Sequence, residues 1–590
     1  MAEAGGSGVK GRTALSLAAL LLLACRGKAP EPPFDWRSDW AVDESLSLAV
    51  DTAGYRFPTA LAFVPEPGPR PEDPLYFVTE VQGTVKAVTR SRTVHTFAQG
   101  FFRLQPAGTL PDPAGEVGLA GLCLDPEHGY LFVTFASQDP DGVLRNHIVR
   151  FQSTPGTFSL LPESHRVLTG IFAGSEAAVS HQIGPCQVDG ESLYVGVGDG
   201  RQTNHSLHVD SVLGKILRMT LDGRPVPSNP FYREGEPGRA AGYVWAYGLR
   251  NPFSLEVVDG RVFAADNGSG IDRFLEIRRG ESYLWDGHDW SIASRADAVL
   301  VPSVGPVQME HAASGFTAFP QRLRNLFFVA LSAPRSAGIL AIPYGLAEGR
   351  MLARSRYLVR YRGTGHQAVA ALALGDDGLY FAPLLPNRAG LSPVIRAADS
   401  PGRPHPFSLA DLEDPEILLQ EGGCLSCHTR NGLGGAAGPP LDRDPLLARL
   451  SSRLASPEYA RRIAEVDRLE REPFVHYREA RRQVLKAEGH ARVRTWIKFH
   501  VMEPRFDNPH SQMPNLGIPE PRAEAIAGYL AGPEETAQEG GIGALLRRLL
   551  PERPWRRHLA LFFGYGFLAG SGCAVLGWTA VRSVKRRSGS

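Results

Sequence analysis

The chain has 590 residues and a formal net charge of +1, and 43% of its residues are hydrophobic. This length and composition predict a globular protein with several domains. The near-neutral charge gives no electrostatic footprint for nucleic acid, so a polynucleotide is not an expected partner.

The first 25 residues have the features of an export signal. Lys10 and Arg12 precede an apolar run over 14–24 that is too short to span a membrane comfortably. The tetrapeptide LLAC ending at Cys25 resembles the lipobox of bacterial lipoproteins, in which the cysteine is lipidated after cleavage. The alternative is an ordinary signal that ends near a cysteine. We interpret residues 26–40 as a linker.

Residues 41–402 contain six short β-rich runs, and several of them follow an Asp-Gly or similar turn. The runs are LYFV at 75, LFVT at 131, LYVG at 193, VFAA at 262, LFFV at 326 and LYFA at 379. Helical spacers are almost absent, which argues against a parallel βαβ fold. The repetition therefore predicts an all-β six-bladed propeller, whose central channel and loop-bearing face are the expected ligand site.

Two cysteines of this region, Cys123 and Cys186, have no assigned role. In an oxidising compartment they could pair. The commoner alternative, two small buried hydrophobic side chains, is the interpretation we favour from the sequence.

The hexapeptide CLSCHT begins at residue 424. Two thiols separated by two residues and followed directly by an imidazole form the motif for covalent haem attachment. Cys424 and Cys427 are the predicted attachment residues, and His428 is the predicted proximal iron ligand. No second cysteine pair accompanies them, which disfavours a zinc site.

A second axial ligand is predicted downstream, where SQMPNLG (511–517) places Met513 in a proline-bounded loop. Met502 is the competing candidate. The succession over 403–535 resembles class I cytochrome c domains, which implies an all-α fold with one haem c. The sequence departs from that family in length, because the Arg/Glu-rich insert 445–490 is longer than the family minimum and helix-prone.

After a second linker, 536–554, residues 555–583 predict a transmembrane helix, since 558–581 supply about the 20 apolar residues that a membrane helix requires. Basic residues flank both ends, including the tail 584–590, so charge alone barely decides the orientation. Because the family's haem ligation takes place outside the cytoplasm, we expect both domains on the periplasmic face of the inner membrane.

Four motifs in the propeller region together resemble the glucose/sorbosone dehydrogenase family, whose type members are soluble sugar dehydrogenases dependent on pyrroloquinoline quinone (PQQ). The motifs are GEVGLAGLCLDP (115–126), HQIGPCQVDGESLYVGVGDG (181–200), LGKILRMTLDG (213–223) and VWAYGLRNPFS (244–254). The resemblance covers roughly 55–400 and implies a six-bladed propeller with PQQ and Ca²⁺ as cofactors.

The resemblance also implies roles for individual residues. His181 matches the general base that removes the proton of the sugar hydroxyl. Arg250 and Asn251 match the pair that contacts PQQ, a tricarboxylate that suits a planar cation. Gly268 and Ser269 fall near the backbone-carbonyl contacts to Ca²⁺.

Some positions of the predicted PQQ site depart from the family pattern. Glu116 stands where the family has glutamine, which puts a carboxylate beside quinone and substrate. Asn267 aligns with another family glutamine. No residue can be placed as the family's cofactor-binding lysine, and Arg360 and Arg362 are weak substitutes.

Together these features predict a membrane-anchored quinohaemoprotein dehydrogenase. It would oxidise a sugar or related alcohol with PQQ and pass electrons to its own haem, then to a downstream cytochrome or respiratory chain. The main alternative is a non-catalytic propeller that binds a carbohydrate or protein and carries an electron-transfer cytochrome. A purely electron-transferring protein with a scaffold propeller leaves the HQIG motif unexplained.

Overall fold

The computed structural model describes residues 36–532, apart from 103–115, 140, 169–178, 334–335, 364–365, 387–389, 401–404, 410–417 and 420–422. The predicted export signal, the linker 536–554 and the predicted membrane helix 555–583 lie outside the described residues. Within the described ranges, no helix is both long enough and apolar enough to cross a membrane.

The propeller begins with two strands, β1 (Trp40–Val42) and β2 (Leu46–Tyr55). Blade one follows as β3–β6 (Pro58–Phe63, Pro74–Glu80, Thr84–Thr89, Val94–Gln99), and blade two as β7–β10 (Gly118–Asp125, Tyr130–Gln138, Leu144–Gln152, Ser164–Val167). Blade three is β11–β14 (Ile183–Asp189, Ser192–Val197, Lys215–Thr220, Val244–Tyr247), and blade four is β15–β18 (Pro252–Val258, Arg261–Asp266, Asp272–Ile277, Ala298–Leu300). A short helix, α1 (Asp289–Ala293), lies between β17 and β18.

The last two blades include the N-terminal strands. Blade five contains β19–β21 (Pro306–Ala312, Leu326–Leu331, Gly338–Ile342), then the small hairpin β22–β23 (Tyr344–Gly345, Arg350–Met351) and finally β24 (Arg356–Tyr361), with β1 paired to β24. Blade six contains β25–β27 (Val369–Gly375, Gly378–Pro383, Ser392–Asp399), with β2 paired to β27. Pairing the start of the domain with its end closes the ring.

Six antiparallel sheets of this kind confirm the predicted propeller. The innermost strands β3, β7, β11, β15, β19 and β25 contact one another in cyclic order. The six apolar runs found in the sequence are the second strands β4, β8, β12, β16, β20 and β26, and nearly every residue in them is buried. A strand covered on both faces reads as a continuous apolar run instead of an alternating one, which is why the repeat was visible.

The C-terminal part of the described chain is helical. It contains the two-residue strands β28 and β29 (Thr429–Arg430, Leu433–Gly434) and the helices α2–α6 (Arg443–Ala455, Pro457–Val466, Arg478–Lys486, Gly489–Met502, Glu520–Ala531). Four of these helices begin inside the predicted helix-prone insert 445–490 or just before it. Short 3₁₀ turns occur at Trp36–Asp39, Thr203–His205, Ala240–Tyr243, Gln321–Leu323 and Cys424–Ser426.

Local sequence explains how these helices start and pack. The Ser456 hydroxyl accepts a hydrogen bond from the Tyr459 N–H, and Pro457 occupies the first turn of α3, so this helix is capped at its N-terminus. Leucines at four-residue spacing in α2, Leu446, Leu450 and Leu454, face the core of the helical domain.

Cys123 in β7 and Cys186 in β11 form a disulfide that joins blades two and three. The favoured interpretation of two separate buried thiols was wrong. Their Cα atoms lie 5.7 Å apart across neighbouring innermost strands, within the range that a disulfide requires.

Candidate functional site

The predicted site residues of the propeller gather at one end of its innermost strands. Glu116, His181 and Asn251 each precede the first strand of a blade, and Asn267 follows the second strand of blade four. In an antiparallel blade the first strand begins where the second ends, so these positions face the same end of the central channel.

His181 is paired with a carboxylate that the sequence did not identify. Its Nδ1 lies 2.7 Å from Oδ1 of Asp199, and both side chains are almost fully buried. Trp285 Nε1 donates to the other oxygen at 2.8 Å, and the Arg201 N–H donates to Oδ1 at 2.9 Å.

Burial by itself raises the pKa of Asp199, but the hydrogen bonds and charge of His181, together with the Trp285 and Arg201 N–H groups, bring the pKa below its ordinary value. Asp199 is therefore an ionised acceptor. An ionised acceptor makes Nδ1 of His181 the protonated nitrogen and leaves Nε2 with the lone pair, as a general base requires.

Glu116, which departs from the family pattern, joins two other site residues. One carboxylate oxygen accepts the backbone N–H of His181 at 2.6 Å, and the other accepts Nδ2 of Asn251 at 2.9 Å. Both oxygens thus hold donors in place, so the carboxylate is accommodated here by the protein itself.

Gly198 lets the chain pass close to this cluster. A Cβ at this position would lie 2.6 Å from both Asn251 Oδ1 and the His181 carbonyl, which leaves no room for a larger residue. Asn251 Oδ1 is buried and has no hydrogen-bond partner within the described structure. A buried acceptor without a partner is unusual and points to a missing ligand group.

Arg250 and Asn251 are fixed through their backbones. Both N–H groups donate to the Asp266 carboxylate, which forms a fully buried ion pair with Arg273 at 2.8 Å. The Arg250 guanidinium donates to the Asn267 carbonyl at 2.7 Å and to the Ser269 hydroxyl at 3.2 Å. No carboxylate pairs with this guanidinium among the residues the structure describes.

The loop after β16 completes the cluster. Asn267 Nδ2 donates to the carbonyls of Asn251 and Pro306 at 3.2 and 2.8 Å. The Gly268 N–H donates to Asp272 Oδ1 at 2.8 Å. The Ca²⁺ contacts of Gly268 and Ser269 remain predictions.

Arg360, offered as a weak substitute for the missing lysine, lies on β24 and pairs in register with Ala41 of β1, in the outer part of blade five. Of the additional cluster residues, Asp199 had a weak signal, because it is a polar residue two positions beyond the buried strand β12, inside the motif 181–200. Trp285 had none.

The predicted haem-attachment segment lines a cavity of about 450 Å³. Cys424, Cys427, His428 and Met513 all border it, whereas Met502 packs against the hydrophobic core of the helical domain. His428 Nδ1 bonds to the Pro439 carbonyl at 2.7 Å, which leaves Nε2 available for a metal.

Two further features surround His428. A Cβ on Gly438 would lie 2.5 Å from the His428 ring. On α5, His500 stacks on Trp496 with ring centroids 4.3 Å apart. Burial and the nearby Arg453 and His428 lower the pKa of His500 to about 3, and its buried Nδ1 lacks a partner among the described atoms. No sequence motif marks this histidine.

The family model described as Glucose / Sorbosone dehydrogenase matches residues 56–300, which are the first four blades. Aldose sugar dehydrogenase YliI of Escherichia coli (strain K12) is 27% identical over 117 residues, which is 19% of this chain and 31% of that protein. The chain thus matches about a third of the length of this curated relative.

Several solved structures are also similar. A glucose dehydrogenase has 19% identity and a TM-score of 0.48, over 60% of this chain and 100% of its own. The PQQ-bound form of aldose sugar dehydrogenase from Streptomyces coelicolor has 23% identity and a TM-score of 0.44, with the same coverage. The apo form of the soluble aldose sugar dehydrogenase from Escherichia coli has 16% identity and a TM-score of 0.46, again over 60% and 100%.

Proposed function

We propose that the protein is an exported oxidoreductase that oxidises a sugar or related alcohol with PQQ and passes the electrons to its own c-type haem. The observation that carries the proposal is the His181–Asp199 pair, which lies beside Glu116, Asn251 and Arg250 on a Glucose / Sorbosone dehydrogenase domain. The names of the similar proteins, aldose sugar dehydrogenase and its PQQ-bound form, support the substrate class and the cofactor.

The propeller residues fit PQQ. Arg250 offers a guanidinium without a carboxylate partner in the described chain, which suits the carboxylates of PQQ. Asn251 Oδ1 offers an acceptor that the protein leaves unsatisfied. PQQ, when bound, supplies the acceptor for hydride. The Gly268 and Ser269 carbonyls would hold Ca²⁺ nearby, where a cation polarises the quinone oxygen.

The chain's own contribution to the reaction is proton removal. His181 Nε2 takes the hydroxyl proton as the carbon–hydrogen bond breaks, so the substrate carbon becomes a carbonyl carbon. Asp199 stabilises the imidazolium that forms and keeps the ring in the productive tautomer. Glu116 accepts the backbone N–H of His181 and the Gly200 N–H donates to the His181 carbonyl, so the base is positioned before the substrate arrives.

The helical domain fits a covalent haem. Cys424 and Cys427 border the cavity with free thiols that would attach the haem, and His428 and Met513 would hold its iron. His500 Nδ1 offers a buried polar atom without a partner in the described part of this domain. Bound haem supplies a one-electron acceptor on the same chain, which removes the need for a diffusing carrier.

An extracytoplasmic location, with membrane anchoring by the predicted helix 555–583 and by lipid on Cys25, is part of the proposal. The disulfide between Cys123 and Cys186 supports export, because disulfides persist mainly in oxidising compartments. Protease added to spheroplasts should digest both domains, and full protection of both would contradict this location.

The deciding experiment is reconstitution of the full-length haem protein with PQQ and Ca²⁺, followed by a screen of aldoses and alcohols. Substrate-dependent appearance of the reduced haem spectrum is the expected result. If the protein does not bind PQQ in a titration, the non-catalytic binding propeller becomes the better interpretation.

A further inference from the structure

The cavity at the haem-attachment segment is bounded by both domains. On the propeller side, most residues of the stretches 298–304 and 351–357 line it, together with Leu340 of β21. These propeller residues are called the docking wall below. The opposite side carries Cys424, Cys427, His428 and the Met513 loop.

The docking wall is apolar and has a basic rim. Leu300 and Val304 are each only 8% exposed, whereas Val299 is 44% exposed on β18, the outermost strand of blade four. Outermost strands usually carry charged groups, so an exposed valine here suits an apolar partner. Arg354 and Arg356 stand at the exposed margin. An apolar face with cations at its edge matches a porphyrin, which is an apolar macrocycle bearing two carboxylates.

The helical domain also contacts the propeller outside the cavity. Val301 packs against the hydrophobic core of the helical domain. Arg354 Nη1 lies 3.5 Å from where a Cβ on Gly423 would fall. The connecting segment is anchored as well, because the Val42 N–H donates to the Phe407 carbonyl at 3.1 Å and the Leu409 N–H donates to the Val42 carbonyl at 2.7 Å.

One loop connects the docking wall to the candidate active site. Residues 301–305 connect β18, the outermost strand of blade four, to β19, the innermost strand of blade five. Val304 lines the haem cavity, and its N–H donates to Asp272 Oδ2 at 2.6 Å. The other Asp272 oxygen accepts the Gly268 N–H at 2.8 Å. Two hydrogen bonds therefore join the cavity wall to the predicted Ca²⁺ loop.

We propose that the haem site is shared between the two domains: the docking wall covers the haem on the propeller side, and the 301–305 loop is the path by which electrons reach it from the His181 site. The inference rests on the proposed haem attachment and dehydrogenase activity. Each substrate oxidation releases two electrons. They reduce ferric to ferrous iron in two successive steps, and a downstream one-electron acceptor reoxidises the haem after each step.

A shared site makes the haem sensitive to changes in the propeller. The apolar docking wall lowers the dielectric around the iron and thereby disfavours the more highly charged ferric form. A new carboxylate on the wall reverses that preference and lowers the reduction potential. If the helical domain alone held the haem, a carboxylate on the docking wall would not change the reduction potential.

The test uses Val299→Asp in the full-length haem protein, with Val167→Asp as the matched control. Val167 is a valine 54% exposed on β10, the outermost strand of blade two. In a redox titration without substrate, Val299→Asp should raise the ferric-to-ferrous ratio at fixed potential about tenfold, which is about 59 mV for one electron. Val167→Asp should leave it unchanged. Equal midpoints in the two variants would overturn the shared site.

A second pair of variants tests the same prediction away from β18, in case Val299→Asp disturbs the folding of that strand. Arg354→Glu, on the docking wall, should lower the midpoint, whereas Arg350→Glu, four residues earlier on β23 and outside the cavity lining, should change it much less. With PQQ and substrate present, Val299→Asp should slow haem reduction but not reduction of an artificial dye. Equal slowing of haem reduction and of dye reduction would contradict the proposed electron path.

Two outcomes separate this inference from the proposed function. Wild-type protein without covalent haem overturns the proposed function together with this inference. Attached haem whose midpoint potential is unchanged in all docking-wall variants overturns the inference alone.

Discussion

The two candidate sites are assembled in different ways. In the propeller, Glu116 and Asn251 are 135 residues apart in sequence, yet each predicted polar side chain is held by defined hydrogen bonds. At the predicted haem cavity, His428 is oriented by a hydrogen bond from Nδ1 to the Pro439 carbonyl, and part of the wall comes from the other domain. The propeller site is thus preorganised within one domain, whereas the walls of the predicted haem cavity come from two.

The strongest test of the preorganised site is His181→Gln. Loss of a positioned general base typically slows a reaction by about 10² to 10⁴, and we expect substrate-dependent haem reduction to fall by that factor. PQQ titration and the haem spectrum should remain, because glutamine keeps a polar side chain of similar size.

The matched control for this variant is His95→Gln, an exposed histidine on the outermost strand of blade one. It should retain the wild-type rate. Wild-type turnover in a folded, PQQ-loaded His181→Gln protein would show that His181 is not the base.

The predicted haem cavity is tested by Met513→Ala. Haem should stay covalently attached through Cys424 and Cys427, but methionine ligation should disappear. The reduction potential should then fall by a substantial part of the ~0.8 V range that axial ligation spans. Met502→Ala is the control and should keep the spectrum, since Met502 packs in the helical core. The reverse outcome would make Met502 the ligand.

Within the described residues, each domain contains a fully buried arginine. The stability of the two domains can therefore be compared by replacing these arginines. Arg273 pairs with Asp266 beneath the active-site loop, and Arg481 donates to Asp467 and to the carbonyls of Phe474 and Phe506. Breaking a buried ion pair costs about 3–5 kcal/mol. We expect Arg273→Met and Arg481→Met each to lose about that much, measured by urea unfolding.

The two arginine variants should differ in function. Arg273→Met should also weaken PQQ binding, because Asp266 positions Arg250 and Asn251. Arg481→Met should leave PQQ binding unchanged. Loss of PQQ binding in both variants would mean that the domains do not behave as separate units.

Features that lie within a short stretch of sequence could be predicted, whereas features that depend on which strands become neighbours could not. The haem motif lies within five consecutive residues, and the six blades appeared because each second strand is buried on both faces. The pairing of Cys123 with Cys186 requires two blades to be adjacent, which no local pattern states. Asp199 and Trp285 are 86 residues apart, and although Asp199 lies within the motif 181–200, no local pattern shows that the two side chains meet.

Departures from a family pattern were equally hard to interpret from sequence. Glu116 could be recognised as an added carboxylate, but not as the acceptor for two N–H donors on different blades. His500 reads as an ordinary residue on an amphipathic helix. Only the fold shows its Nδ1 buried near His428.

A pH-dependent test addresses Asp199. Its folded pKa lies below the unfolded value near 3.8, so its stabilising contribution is fully present above that value and is lost as the pH falls through the folded pKa. Asp199→Asn should remove that part of the acid destabilisation, measured by unfolding at a series of pH values. It should also slow substrate oxidation by at least about tenfold, because the amide no longer enforces the His181 tautomer. An unchanged rate would leave Asp199 only a structural role.

The smallest predicted effect concerns the hydrogen bond of Ser303, in the loop that connects the two candidate sites. The Ser303 hydroxyl donates to the buried Asp272 carboxylate at 2.7 Å, and the nearby Ser332 hydroxyl donates to the uncharged Gly305 carbonyl at 2.9 Å. Hydrogen bonds to charged groups contribute about 1.5–3 kcal/mol and neutral ones about 0.5–1.5 kcal/mol. Ser303→Ala should therefore destabilise the protein more than Ser332→Ala, by about 1 kcal/mol on that scale, when both are compared by urea unfolding at neutral pH. In either variant, Asp272 still accepts the N–H groups of Gly268, Val304 and Gly305. The loop should therefore keep its conformation, and the haem midpoint potential of each variant should match that of the wild type. Equal losses of stability in the two variants would mean that the Asp272 carboxylate is neutral when folded, since only a charged acceptor distinguishes the two serines.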